Sequence, residues 1–170
     1  YPYPTGTWSD DTSMSLAALD CLADGEINWD KIMDSFGKWL DDGEYTPSGE
    51  AFDVGRTCLN AIISYFTKGT KATESGGDEE YSNGNGSLMR IHPFALMAAY
   101  NRKTHCNWEN IIEQASSLTH AHERSKLACK IYALILFRLI DVPRKDSVNF
   151  ALGWADCRYD ESPEHDMYKR

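Results

Sequence analysis

The stretch ERSKLACKIYALILFRLI, at residues 123–140, includes the longest apolar run of the chain. Its apolar residues point to almost every side of a helix: Leu127, Ala128, Ile131, Tyr132, Leu134, Ile135, Leu136, Leu139 and Ile140. A helix that is apolar nearly all round is typical of a core position. Residues 131–140 are interrupted by Arg138 and are about half as long as a bilayer span requires. The stretch therefore predicts a buried central helix and no membrane segment.

On both sides of this stretch, apolar residues recur every three or four positions, which is the period of an amphipathic helix. The pattern predicts six further helices, at residues 11–24, 29–40, 54–66, 88–100, 108–118 and 146–156. Pro93 must then lie at a kink or in a first turn. Residues 68–86 are rich in Gly, Ser, Thr, Asn and acidic residues and predict a long loop. No segment alternates with period two, so the expected class is all-α.

Length and composition predict one globular domain over residues 1–170, with 42% apolar residues, 12 Gly and 6 Pro. The 17 basic and 26 acidic residues give a net charge of −9, which argues against direct nucleic-acid binding. Five cysteines lie far apart, without a CxxC pair: Cys21, Cys58, Cys106, Cys129 and Cys157. We therefore expect reduced thiols and a reducing, cytoplasmic location. No feature indicates an oligomeric state.

Both ends of the chain suggest a fragment. The sequence begins at Tyr1 and not at a start methionine. Residues 160–170 are polar and unpatterned, and they predict no closing element. We expect a domain that is incomplete at both ends.

The segment Ser9-Asp10-Asp11-Thr12 precedes the first helix and has two interpretations. Ser and Asp cap helix N-termini, and acidic side chains there favour the helix dipole. Alternatively, adjacent carboxylates and a hydroxyl supply the oxygen ligands that Mg²⁺ or Mn²⁺ prefers. Two carboxylates are too few for a binuclear site, so other ligands would have to come from elsewhere.

A glycine-rich segment, SNGNGSLMR at residues 82–90, joins the long loop to the next predicted helix. Its glycines allow backbone amides to approach a ligand, and a helix start favours anions. The segment is a candidate cradle for a diphosphate, although Asn-Gly is also an ordinary turn signal. The G-x-x-x-x-G-K-[ST] pattern is absent.

Two further candidates lie at predicted helix ends. His120 and His122 follow Thr119 between two helices, where an imidazole either contacts a ligand or completes a helix terminus. Without a third nitrogen or thiolate partner, we do not expect zinc. Asp53 precedes the third helix and has two interpretations. Its carboxylate either stabilises the helix dipole or serves as a general acid or base.

Four segments, in this order, resemble the motifs of the ADP-ribosylglycohydrolase family, which includes the dinitrogenase reductase-activating glycohydrolase. Trp8 to Met14 is similar to W-T-D-D-T-x-M, and Ser48 to Thr57 resembles S-x-G-x-x-F-D-x-G-x-x-T. Gly84 to Arg90 matches G-N-G-S-L-M-R without a difference, and Ser117-Leu118-Thr119-His120 is similar to the S-x-x-T-H element. The resemblance extends over residues 6–140.

The resemblance implies an orthogonal multi-helix bundle that binds two divalent cations, Mg²⁺ or Mn²⁺, and hydrolyses the glycosidic bond between ADP-ribose and a modified side chain, most often arginine. The partner is then an ADP-ribosylated protein or an ADP-ribose conjugate. By analogy, Ser9, Asp10 and Asp11 ligate metal, with Ser9 in place of the usual Thr, and Asp53 and Asp11 are the catalytic residues. The analogy assigns substrate binding to Asn85, Gly86, Ser87, Leu88, Met89, Arg90 and His120.

The family's second metal motif, G-D-x-D-T, has no counterpart in the chain, and neither does its upstream G-D-A-x-G segment. With part of the ligand set missing, we expect the isolated 170 residues to be inactive and the parent protein to be the hydrolase. The alternatives are a catalytically incomplete ADP-ribose-binding module and, less compatible with residues 84–90, a helical interaction domain.

Overall fold

The computed structural model describes residues 3–101, 107–142 and 146–168. Within these ranges, the regular structure consists of helices and short turns: α1 (Asp10–Leu22), α2 (Trp29–Asp42), α3 (Arg56–Lys68), α4 (His92–Asn101), α5 (Trp108–Ser117), α6 (Glu123–Asp141), α7 (Ser147–Tyr159), and 3₁₀ turns at Ala72–Glu74, Glu80–Ser82, Leu88–Arg90 and His165–Met167. The described residues contain no strand, only an isolated parallel bridge between Gly77 and His120. The predicted all-α class is confirmed.

Helix α6 is the centre of the bundle. It packs against α4, α5 and α7 and against the 3₁₀ turn Leu88–Arg90. None of its side chains between Arg124 and Leu139 is exposed. The apolar side chains on nearly all its faces thus contact neighbouring helices, as the sequence predicts.

The predicted helix boundaries agree with the structure to within three residues at most ends. The element predicted at residues 88–100 is split into the 3₁₀ turn Leu88–Arg90 and helix α4. Pro93 is the second residue of α4, in the first turn as predicted, where its missing N–H costs no helical hydrogen bond. The long loop at 69–86 contains two 3₁₀ turns.

The C-terminal residues differ from the expectation that no closing element follows α7. His165 is 1% exposed, and its Nε2 lies 3.0 Å from an Asp156 carboxylate oxygen. Arg124 donates from Nε to Glu164 at 2.7 Å, and the Tyr168 hydroxyl donates to the Arg124 carbonyl at 3.0 Å. Residues 160–168 therefore fold back onto α6, through Arg124, and onto α7, through Asp156.

The described cysteines are all unpaired: Cys21, Cys58, Cys129 and Cys157. Cys106, the fifth thiol predicted to be reduced, lies outside the described residues. No helix within the described ranges is both long and apolar enough to cross a membrane.

Candidate functional site

Ser9 occupies the N-cap position of α1, but its side chain makes no capping hydrogen bond. Its hydroxyl instead donates to an Asp11 carboxylate oxygen at 2.8 Å. The capping interpretation is therefore wrong for the Ser9 side chain. The hydroxyl and the carboxylate lie together at the start of the helix, where the partial positive charge of the helix end favours anions.

Asp10 is the buried member of the acidic pair, with 8% of its surface exposed. Its carboxylate accepts a hydrogen bond from the Asp11 amide at 3.1 Å. Burial, with the charge of Asp11 and a smaller effect of the charge of Asp53, raises the pKa of Asp10 to about 6 against the lowering effect of the Ser9 and Asp11 hydrogen bonds. The carboxylates of Asp11 and Asp53 thus both disfavour the charged form of Asp10, and a cation would relieve that repulsion.

A cleft of about 370 Å³ opens beside this acidic segment. Ser9, Asp11 and Asp53 line it together with Tyr3 and Phe52, whose stacked rings have their centres 4.3 Å apart. Asp53 has a φ of 59°, a left-handed conformation that is uncommon outside glycine. The structure thus brings together side chains from α1 and from the turn before α3, which are more than 40 positions apart in the sequence.

The oxygen atoms of Ser9, Asp10 and Asp11 fit a hard divalent cation in their chemistry. Their number is smaller than two cations require: within the described ranges, no three His, Cys, Asp or Glu side chains converge on one point. The residues present therefore fit part of a cation site.

The glycine-rich segment ends in a tight turn above α6. The Met89 amide donates to the Asn85 carbonyl at 3.0 Å, and Ser87 is fully buried. A Cβ atom on Gly86 would lie 2.7 Å from both Cys58 Sγ and His120 Cε1. Only glycine allows the loop backbone to approach these two side chains so closely.

A second cleft, of about 230 Å³, continues from the acidic segment towards this turn. Asp11 and Thr12 line both clefts, and Met89 and His92 line the second one. The acidic start of α1 and the end of the glycine-rich segment are thus neighbours.

Arg90 lies beneath the loop and faces protein. Its side chain is fully buried, and its Nη2 donates to the Thr119 hydroxyl at 2.8 Å. Its guanidinium carbon lies 5.0 Å from the ring centre of Phe36. The predicted contact of Arg90 with substrate stays a prediction.

His120 is 2% exposed, and its Nδ1 lies 2.9 Å from the Thr119 hydroxyl oxygen. Burial, and to a lesser extent the charge of Arg90, lowers the pKa of His120 to about 4, so the ring is neutral near pH 7. His122 differs, because its Nδ1 accepts a hydrogen bond from the Arg124 amide at 3.1 Å. His122 therefore caps α6, which confirms the helix-terminus interpretation for that residue.

The S-x-x-T-H motif has five residues, so its serine is Ser116 and not Ser117, at which the sequence comparison began the match. The Ser116 hydroxyl lies 2.9 Å from the Ser87 hydroxyl and 2.8 Å from the His120 carbonyl. Ser117 only donates to the Glu113 carbonyl of its own helix. Ser116 therefore links the glycine-rich segment to His120.

Cys58 is a neighbour of the candidate site that no sequence motif singled out. Its thiol contacts Gly86, and burial raises its pKa, with opposing effects of Arg90 and Thr119 and a further rise from Asp10. The Cys58 thiol thus lies against the loop, where the charge of Asp10 still affects it. The helical period had placed it on a buried face, but nothing local shows which residues it meets there.

An all-helical domain that combines an oxygen-rich helix start with a closely packed glycine loop and a neutral histidine is suited to holding a phosphate-containing ligand. The family model described as ADP-ribosylglycohydrolase matches residues 1–167, and the chain belongs to this family.

Two relatives share much of the chain. It is 28% identical over 129 residues to the ADP-ribosylarginine hydrolase Tri1 of Pseudomonas putida (strain GB-1), a match that covers 75% of this chain and 33% of that protein. It is 30% identical over 137 residues to the ADP-ribosylarginine hydrolase Tri1 of Serratia proteamaculans (strain 568), which covers 80% and 36%. The chain thus spans about a third of the length of these relatives.

Proposed function

We propose that the protein carrying this chain hydrolyses the glycosidic bond between ADP-ribose and a modified arginine, and so reverses ADP-ribosylation of proteins. The observation that carries the proposal is the close packing of Gly86 against His120, next to the acidic start of α1. Membership of the family and the printed activity of the two relatives support the choice of substrate.

The glycine-rich segment binds the diphosphate of ADP-ribose in this proposal. Backbone amides from Asn85 to Leu88 supply hydrogen-bond donors, and His120 contributes one imidazole edge. Arg90 supports the segment from beneath, through its hydrogen bond to Thr119, and adds a buried positive charge. Phosphate oxygens are neutralised by such donors at little cost in reorganisation.

Ser9, Asp10 and Asp11 hold a divalent cation, Mg²⁺ or Mn²⁺, with remaining ligands from outside the described residues. When bound, such a cation orients ribose hydroxyls and stabilises negative charge. Asp53, which faces the same cleft, takes a proton from the attacking water. The water oxygen bonds to the anomeric carbon, the carbon–nitrogen bond breaks, and a proton passes to the leaving guanidine nitrogen.

A second candidate is an ADP-ribose-binding module without turnover. The small number of metal-ligating side chains that converge within the described ranges favours it.

Release of ADP-ribose from ADP-ribosyl-arginine, measured with Mg²⁺ or Mn²⁺ and repeated with EDTA, separates the two candidates. Metal-dependent release by the protein that carries this chain supports the hydrolase. Binding of free ADP-ribose by calorimetry, without turnover and without a metal requirement, supports the module. A protein that neither binds ADP-ribose nor releases it contradicts both.

A further inference from the structure

The Thr119 hydroxyl lies between a buried cation and an imidazole. Its oxygen is 2.8 Å from Arg90 Nη2 and 2.9 Å from His120 Nδ1. All three side chains are almost completely buried. Water therefore does not compete strongly for these hydrogen bonds, and the protein itself determines the position of each proton.

The directions of the two bonds follow from the chemistry of the groups. A guanidinium can only donate, so Thr119 accepts from Arg90. A hydroxyl has one hydrogen, and the nearest strong acceptor for it among the described residues is Nδ1 of His120. The Cys58 thiol also lies near Thr119, but sulfur is a weak acceptor. Thr119 therefore donates to His120, and Nδ1 carries no proton.

We propose that Thr119, oriented by Arg90, is a positioning residue that holds His120 as the Nε2–H tautomer, so that the ring offers a hydrogen-bond donor to the phosphate oxygens of a ligand at the glycine-rich segment. The ligand in this inference rests on the proposed function, whereas the tautomer does not.

The surroundings of Nε2 support this assignment. Cβ atoms built on Gly84 and Gly86 would lie 3.7 Å and 3.3 Å from Nε2, so this edge of the ring faces the loop backbone. Within the described ranges, the one hydrogen bond of the His120 ring is the contact between Nδ1 and the Thr119 hydroxyl, and it leaves Nε2 unengaged. An N–H group at Nε2 is therefore available to an anion bound at the glycine-rich segment.

The backbone of His120 is also held in place. Its amide donates to the Ser116 carbonyl at 2.8 Å, and its carbonyl accepts from the Ser116 hydroxyl at 2.8 Å. On either side, the Gly77 amide donates to Thr119 and the Ala121 amide donates to Gly77. The low pKa of His120 keeps the ring neutral, and a neutral ring must choose one tautomer.

The tautomer is measured directly by NMR on the chain labelled with ¹⁵N-histidine, with the His120 signals identified by their loss in H120Q. We expect Nε2 to be protonated and Nδ1 to be bare in the wild type. We expect Thr119→Val, which keeps the shape but removes the hydroxyl, to give a mixture of tautomers. Thr119→Ser restores the hydroxyl and with it the Nε2–H form.

Calorimetric titration with ADP-ribose gives the functional readout. Thr119→Val weakens binding about tenfold, because one hydrogen bond to a charged phosphate is weakened. Thr119→Ser recovers most of that affinity. Thr67→Val, the same substitution on an exposed position of α3, serves as the matched control and leaves the affinity unchanged.

A protonated Nδ1 in the wild type overturns the inference, and this measurement stands even if Thr119→Val fails to fold. A folded Thr119→Val protein with a pure Nε2–H tautomer and full affinity also overturns it. If the wild type holds the Nε2–H tautomer, Thr119→Val gives a mixture of tautomers, and the protein that carries this chain has no affinity for ADP-ribose, the role of Thr119 is supported and the proposed function is overturned.

Discussion

The hydroxyl of Ser9 donates to the Asp11 carboxylate at 2.8 Å, although Ser9 stands at the N-cap of α1, where a serine usually accepts a hydrogen bond from the helix backbone. The side chain is therefore not used for helix stability. It contributes an oxygen atom to the acidic cleft. Loss of the Ser9 hydroxyl should therefore affect the chemistry of the cleft more than the stability of the fold.

Ser9→Ala should lower the free energy of unfolding by less than about 0.5 kcal/mol, because no capping bond is lost. Asn28→Ala is the matched comparison, since the Asn28 side chain accepts from the Lys31 amide at 3.0 Å at the start of α2. Its loss should cost about 1 kcal/mol. Urea denaturation measures both values, and equal losses would contradict this account of Ser9.

Asp53→Asn should leave the fold intact but lower turnover of ADP-ribosyl-arginine by about 10²- to 10⁴-fold, the usual contribution of a general acid or base. Asparagine tolerates the left-handed backbone conformation that Asp53 adopts, so strain does not complicate the result. Asp42→Asn, at the exposed end of α2, is the control and should retain turnover. Wild-type rates in the Asp53 variant would exclude its catalytic role.

Gly86→Ala should destabilise the protein by about 1–3 kcal/mol, because the new methyl group would overlap Cys58 and His120. It should also weaken ADP-ribose binding by displacing the loop. Gly84→Ala, in the same motif, brings its Cβ to 3.7 Å from His120 Nε2, an ordinary contact, and should change stability by less than about 0.5 kcal/mol. Thermal unfolding and calorimetry of the two variants test whether close packing explains the need for Gly86.

The free energy of unfolding should decrease as the pH falls, because buried His120 is neutral in the folded protein and resists protonation. Its pKa is lowered from 6.5 to about 4 on folding, so the unfolded chain binds a proton more readily. The contribution is complete above pH 6.5 and falls as the pH drops towards 4, by about 3 kcal/mol in total.

The difference in unfolding free energy between wild type and His120→Gln, measured from pH 7 to pH 4, isolates this effect. The comparison is necessary because the raised pKa of Asp10 acts with the opposite sign in the same range. A constant difference across this range would contradict the neutral, buried state of His120.

Helix positions could be predicted well because helical periodicity is a local property of the sequence. Local periodicity is not sufficient to predict the end of α7: the predicted helix ended at Asp156, but the helix continues to Tyr159. Arg158 and Tyr159 both contact Glu109 of α5, with hydrogen bonds of 2.7 to 2.9 Å. This stabilisation comes from a partner about 50 positions away and leaves no periodic pattern.

The segments that form the candidate site could be predicted from the sequence, but the contacts between them could not. The acidic segment and the glycine-rich segment are recognisable because their residue types carry the chemistry locally. Cys58 and Ser116 gave no such signal, since each matters through the atoms it touches: Gly86 for Cys58, and Ser87 for Ser116. Contacts of this kind depend on how the helices pack.

The sequence by itself determined the all-helical class, the central place of α6 and the chemical types grouped at Ser9 to Asp11 and at Gly84 to Arg90. The period of apolar residues and the conformational freedom of glycine are properties of short sequence segments, so these features can be recognised without the folded structure. Only the tertiary structure decided that Arg90 turns inward to Thr119, that Asp53 shares a cleft with Asp11, and that Ser9 does not cap its helix. Burial and proton positions arise from neighbours that come together only when the helices pack.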